Sequence, residues 1–149
     1  MEINPYYWVQ SRLVRESDAY YSTDSITSPD IAYEVVNKHL NIDDCDKEYF
    51  IILCLNTKNY VNAVNIVSIG TLNSALVHPR EVFKPAILSS SAKIMLVHNH
   101  PTGSIKPSDN DINITKRLCE AGEILGIAVL DHVIIGNGRY SSFREMDLM

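Results

Sequence analysis

Ala92-Lys93-Ile94-Met95-Leu96-Val97-His98-Asn99-His100-Pro101 is the stretch from which the fold is read. Its first six residues are almost all apolar and follow a serine cluster at 89–91, the pattern of a buried strand. The strand runs directly into two histidines. Side chains two apart on an extended chain project from one face, so His98 and His100 can reach one cation from a short piece of backbone. A helical zinc motif would space its histidines by four instead. Pro101, Gly103 and Pro107 then cannot continue a central strand and must turn the chain. Asp111 can therefore fold back beside the histidines.

Outward from this strand, the elements alternate. Ser28-Pro29-Asp30 reads as a helix start, with serine at the N-cap, proline at the first helical position and an acid in the first turn. Ala32, Val35, Val36 and Leu40 form its apolar stripe. Residues 49–55 are apolar and rich in aromatic and β-branched types, 56–59 supply turn residues, and 60–69 resume β-prone character, which predicts a hairpin. A second helix is expected from Pro79 to Leu88, followed by the histidine strand. Ser108 then opens a long helix whose apolar positions Ile112, Leu118, Ala121 and Leu125 share a face, ending near Gly126. A strand at 127–135, a Gly136-Asn137-Gly138 turn and a return strand at 139–143 complete the chain. Strands interleaved with helices predict an α/β or α+β sandwich.

Length and composition agree with one domain. The 149 residues, 46% of them hydrophobic, are enough for a single core. We divide them into an N-terminal extension, 1–24, with a short strand at 11–15, and a globular domain, 25–149. The net charge of -5 disfavours a dominant grip on phosphate backbones, so DNA is not the default partner. The N-terminus lacks the pattern of a signal peptide and no window approaches a membrane span, so a soluble, cytoplasmic protein is expected. Three widely spaced cysteines show no C-x-x-C pattern and argue against a disulfide framework. Cys54 and Cys119 read as small core hydrophobes.

The chemistry then rests on His98, His100 and Asp111. Two imidazoles and one carboxylate suit zinc and leave a fourth position open, the layout of a catalytic rather than a structural site. Such a site needs an acid that is not a ligand to carry protons. Glu48 and Glu81 both adjoin apolar elements and are both candidates, although Glu48 also reads as an ordinary solvated charge at a strand end. Ser108-x-x-Asp111 before an apolar helical run has in addition the form of a capping box. The two readings of Asp111 are compatible. His39, His78 and His132 read as surface or hydrogen-bonded residues.

These residues resemble a known pattern. His98-x-His100-Pro101 followed by Ser108-x-x-Asp111 is similar to the JAMM (MPN+) metalloprotease motif. The segments Val77-His78-Pro79-Arg80-Glu81-Val82-Phe83 and Leu130-Asp131-His132-Val133-Ile134-Ile135-Gly136 extend the likeness to the RadC-like JAB-domain family. The resemblance implies a cytidine deaminase-like α/β/α sandwich around a mixed sheet. It implies His98, His100 and Asp111 as zinc ligands, Glu48 rather than Glu81 as the proton shuttle, and Ser108 as a stabiliser of the tetrahedral intermediate. The implied activity is cleavage of an amide bond in a protein or peptide by zinc-activated water. The family label also implies a rival, a DNA-repair-associated binding module with a structural or vestigial metal. Longer RadC proteins carry an N-terminal helix-hairpin-helix region, for which the short N-terminus here leaves no room in this reading. A base deaminase would need a Pro-Cys-x-x-Cys, which this sequence lacks. A metal nuclease is a weaker option, because its phosphate chemistry commonly recruits a carboxylate-rich or two-metal site.

Overall fold

In the computed structural model of the protein, residues 9–14, 25–70 and 77–149 are described. They form α1 (Pro29–Leu40), a 3-10 turn (Ile42–Asp44), β1 (Tyr49–Leu55), β2 (Val61–Ile69), α2 (Pro79–Leu88), β3 (Lys93–Asn99), α3 (Asp109–Leu125), β4 (Ala128–Gly136) and β5 (Arg139–Ser142). The five strands make one mixed sheet in the order β2-β1-β3-β4-β5. β3 and β4 are parallel and joined through α3, whereas the other neighbours are antiparallel.

Helices cover both faces. β1 and β3 are central and apolar along nearly their whole length because neither face meets water. Their alternate residues separate into two cores. Phe50, Ile52, Cys54, Ile94 and Leu96 pack with Val82 and Phe83 of α2 and Ile114 and Leu118 of α3. Ile51, Leu53, Leu55, Met95 and Val97 pack with Ala32, Val35 and Val36 of α1. The result is an α/β/α sandwich around a mixed sheet, the architecture that the resemblance implies. Each large side chain fully buried in it, such as Phe50 or Phe83, contributes about 2 kcal/mol of apolar transfer energy. Among the described residues, no helix is long and apolar enough to cross a membrane.

The antiparallel register is what positions the site. Phe50 of β1 pairs with His98 of β3, so the chain entering β1 lies beside the chain leaving β3. Two segments about fifty residues apart in sequence thus meet at one sheet end.

Three sequence expectations change. The strand expected at 11–15 is not formed over 11–14, where Val14 is 75% exposed and no ladder partner exists among the described residues; residue 15 lies outside them. The buried face of α3 is Asp111, Ile114, Thr115, Leu118 and Gly122 rather than one running through Ile112 and Leu125. Leu125 is 47% exposed. The true face passes through a carboxylate, a hydroxyl and a glycine, which a hydropathy pattern does not register. Finally, β3 extends through His98 to Asn99, past the expected end at Val97.

Candidate metal centre

His98 sits near the end of β3 with its ring buried, 1% exposed, and both ring nitrogens lack a hydrogen-bond partner. A neutral imidazole always carries one acceptor, and burying it unsatisfied is costly. His100 lies just past the strand, still pinned to β4 because its backbone N–H donates to Ile135 O at 2.8 Å. The two rings stand 4.7 Å apart, nearly perpendicular. Both rings nevertheless bring a nitrogen to the same place, as the two-residue spacing predicts.

Asp111 closes the set from the first turn of α3. Its Oδ1 lies 3.2 Å from His98 Nδ1 and its Oδ2 lies 3.3 Å from His100 Nε2. Asp111 is buried and also takes part in a complete capping box: its Oδ2 accepts from Ser108 N at 2.7 Å, while Ser108 Oγ accepts from Asp111 N at 3.1 Å. The cap fixes the carboxylate at the helix N-terminus, where the macrodipole favours negative charge. Burial opposes ionisation of Asp111, but His100, His98 and the Ser108 amide together hold its carboxyl far below the usual range.

Donor chemistry shows that a cation fits. His100 Nδ1 lies 2.8 Å from Ser104 O, an acceptor only, so that nitrogen donates and a neutral ring turns its Nε2 lone pair toward Asp111. Two acceptors facing each other at 3.3 Å repel unless a proton or metal sits between them. Consistently, Asp111 raises the pKa of His100 against the opposing effect of burial. One ligand atom each from His98, His100 and Asp111 lies within 4.8 Å of the others, the span of a single ion's coordination sphere.

Glu48 stands at the edge of this cluster, immediately before β1. Its Oε2 is 3.9 Å from His98 Nε2 and its side chain is about one-third exposed, so it has both reach to the centre and access to water. Glu81, the alternative from sequence, is exposed in the first turn of α2. Cys54 is buried in the core, its thiol pushed up to about 11 by burial, which leaves it an inert packing residue.

A sequence profile of the RadC-like JAB domain matches residues 26–148. The chain belongs to that family. A UPF0758 protein of Desulforamulus reducens is 56% identical over 109 residues, which is 73% of this chain and 48% of that protein. One from Pelobacter propionicus is 51% identical over 126 residues, 85% of this chain and 54% of that protein. One from Clostridium acetobutylicum is 48% identical over 139 residues, 92% of this chain and 60% of that protein. The chain spans about half the length of the curated relatives it matches.

Within this JAB domain, Asn99 and Thr115 near the centre escaped sequence reasoning, whereas His132, expected to be a surface or hydrogen-bonded residue, is a hydrogen-bonded one. Asn99 is 2% exposed and bonds the backbone around Glu48. His132 and Thr115 are fully buried and bonded to each other at 2.6 Å, and Thr115 Oγ1 donates to Asp111 O at 2.7 Å. Asn99 could have been noticed as a polar residue in an otherwise buried strand. His132 likewise interrupts the apolar run of β4.

Proposed function

We propose that this RadC-like JAB domain is a zinc-dependent hydrolase of amide bonds, a metallopeptidase or isopeptidase acting on a protein or peptide. The observation that supports it is the placement of Glu48, an acid outside the ligand set, 3.9 Å from His98 beside three convergent donors. Two imidazoles and one carboxylate suit zinc, which when bound lowers the pKa of a coordinated water and polarises a scissile carbonyl.

The chain's own residues supply the rest. His100, oriented by its bond to Ser104 O, and Asp111, held by the cap, keep the donor set convergent. Glu48 accepts the proton of the attacking water and returns it to the leaving amine. Ser108 Oγ accepts from Asp111 N and keeps its hydroxyl hydrogen to donate to the developing oxyanion. A polar cavity of about 280 Å³ opens beside His100, lined by Asp43, Asn99, Thr102, Gly103 and Asn137 among others, and of the donor set it reaches His100 alone.

The test loads the protein with zinc and measures cleavage of a peptide library and of isopeptide-linked substrates. Cleavage that is lost on chelation, and lost in Glu48→Gln with zinc content unchanged, is the expected result. Zinc-free protein after purification and reconstitution, or undiminished turnover in Glu48→Gln, overturns the reading.

A further inference from the structure

The β1–β3 ladder stops at Phe50 and His98, so among the described residues the β3 side of the chain just before Phe50 has no ladder partner there. Asn99 takes over. Its side chain points to the α1 face of β3, opposite His98, by strand alternation. From there Asn99 Oδ1 accepts from Tyr49 N at 2.6 Å and Asn99 Nδ2 donates to Lys47 O at 2.9 Å. The two bonds fall on the residues immediately before and after Glu48. On the other side, Glu48 O accepts from Gly70 N at 2.8 Å. The backbone carrying the Glu48 side chain is thus fastened at three consecutive residues.

We propose that Asn99 is a positioning residue that sets the reach of Glu48 into the metal centre. The inference rests on the reading of Glu48 as the proton carrier. One side chain ties the ligand strand to the acid: Asn99 lies between His98 and His100, so a shift of the metal-bearing backbone carries the Glu48 segment with it. Only a carboxamide matches both contacts, because one backbone group is a donor and the other an acceptor. Aspartate would set an oxygen against Lys47 O, and leucine would leave both groups unpaired in a buried place. Asn99 makes neither contact with the side chains of the donor set, so its removal acts on Glu48 and not on metal affinity.

The test uses the full chain loaded with Co²⁺ and follows the visible absorption spectrum against pH. Glu48→Gln is expected to move the spectral midpoint by about half a pH unit or more. Asn99→Ala is expected to move it in the same direction, with Co²⁺ affinity within about two-fold of the parent and a cooperative melt. In the Glu48→Gln background, Asn99→Ala should then add no further shift. Asn99→Ser provides a milder second variant if the alanine protein fails to fold. An unmoved midpoint in folded Asn99 variants, while Glu48→Gln moves it, overturns the inference and leaves the role of Glu48 intact. A shift that persists in the Glu48→Gln background also overturns it, since Asn99 then acts independently of the acid. If Glu48→Gln itself leaves the midpoint in place, the proton-carrier role of Glu48 fails and the inference falls with it.

Discussion

His100 Nε2 and Asp111 Oδ2 stand 3.3 Å apart, an approach that two acceptors sustain only with a proton or a cation between them. The pKa of His100 is raised, first by its bond to Asp111, so the metal-free ring holds a proton at mildly acidic pH. A metal must displace that proton. Zinc binding at pH 6, below the ionisation of a coordinated water, is therefore expected to release about one proton. Calorimetry in two buffers of different ionisation enthalpy reads the number directly. Binding at pH 6 with no proton released would contradict this pairing.

Ser108 and Asp111 separate by mutation because they share the cap but not the donor set. Ser108→Ala removes the oxygen that accepts from Asp111 N and should destabilise the fold by about 1 kcal/mol while leaving zinc affinity nearly unchanged. Asp111→Asn keeps the shape and loses the charge, and should weaken zinc binding by two orders of magnitude or more. Chemical denaturation and a competitive zinc indicator distinguish the two. Comparable zinc affinity in both variants would remove Asp111 from the ligand set.

The relation between these residues also marks how far sequence carries. His98, His100, Ser108 and Asp111 were legible because they are close in the chain and constrained by strand and cap geometry, which short spacing encodes. The boundaries of β1, α2 and β5's turn were legible for the same reason, resting on local apolar runs and Pro or Gly punctuation. Glu48 was open between two acids until the family likeness favoured it. Its proximity to His98 depends on antiparallel pairing of β1 with β3, and pairing partners are not a local property. The sheet order and the roles of Asn99 and Thr115 were hidden on the same ground. The apolar face of α3 was misread because its inward positions are partly polar.

His132 links stability to pH through the layer beneath the candidate metal centre. Thr115 commits its one hydroxyl hydrogen to Asp111 O, so it must accept from His132 Nδ1, and the ring is neutral with that nitrogen protonated. Burial, with a smaller effect of His98, pushes its pKa from 6.5 down to about 3. An unfolded chain takes up this proton below about pH 6.5 and the folded chain does not, so the His132 contribution is complete above 6.5 and is lost as pH falls toward 3. The loss is about 1 kcal/mol per pH unit within that window. Urea unfolding of the metal-free protein at pH 5, 6 and 7 should show a shallower pH slope in His132→Gln than in the parent. Equal slopes would mean that His132 titrates alike in both states. Thr115→Val, which strands the His132 N–H, should cost about 1–3 kcal/mol at every pH.

Gly136 gives a handle on an orienting contact that no side-chain deletion can reach, the bond from His100 to the backbone carbonyl of Ser104. A Cβ on Gly136 would lie 2.7 Å from Gly103 O and 3.1 Å from Ser104 O, and both neighbours are backbone. Gly136 belongs to β4, whose register with β3 is fixed by a ladder, so the loop after His100 is the part that yields. Displacing it moves the carbonyl that sets the His100 ring and its protonated nitrogen. Gly136→Ala is therefore expected to weaken zinc binding by about 10–100-fold, the usual effect of losing a partner behind a ligating histidine. Gly138→Ala serves as the control: it sits in the adjoining turn at φ 70 with nothing within 4 Å of its Cβ, so it strains the turn without touching the loop. Melting temperature and zinc affinity should both fall in Gly136→Ala, whereas in Gly138→Ala the melting temperature falls and zinc affinity holds. Equal zinc losses in the two would place the effect in general destabilisation rather than in the orientation of His100.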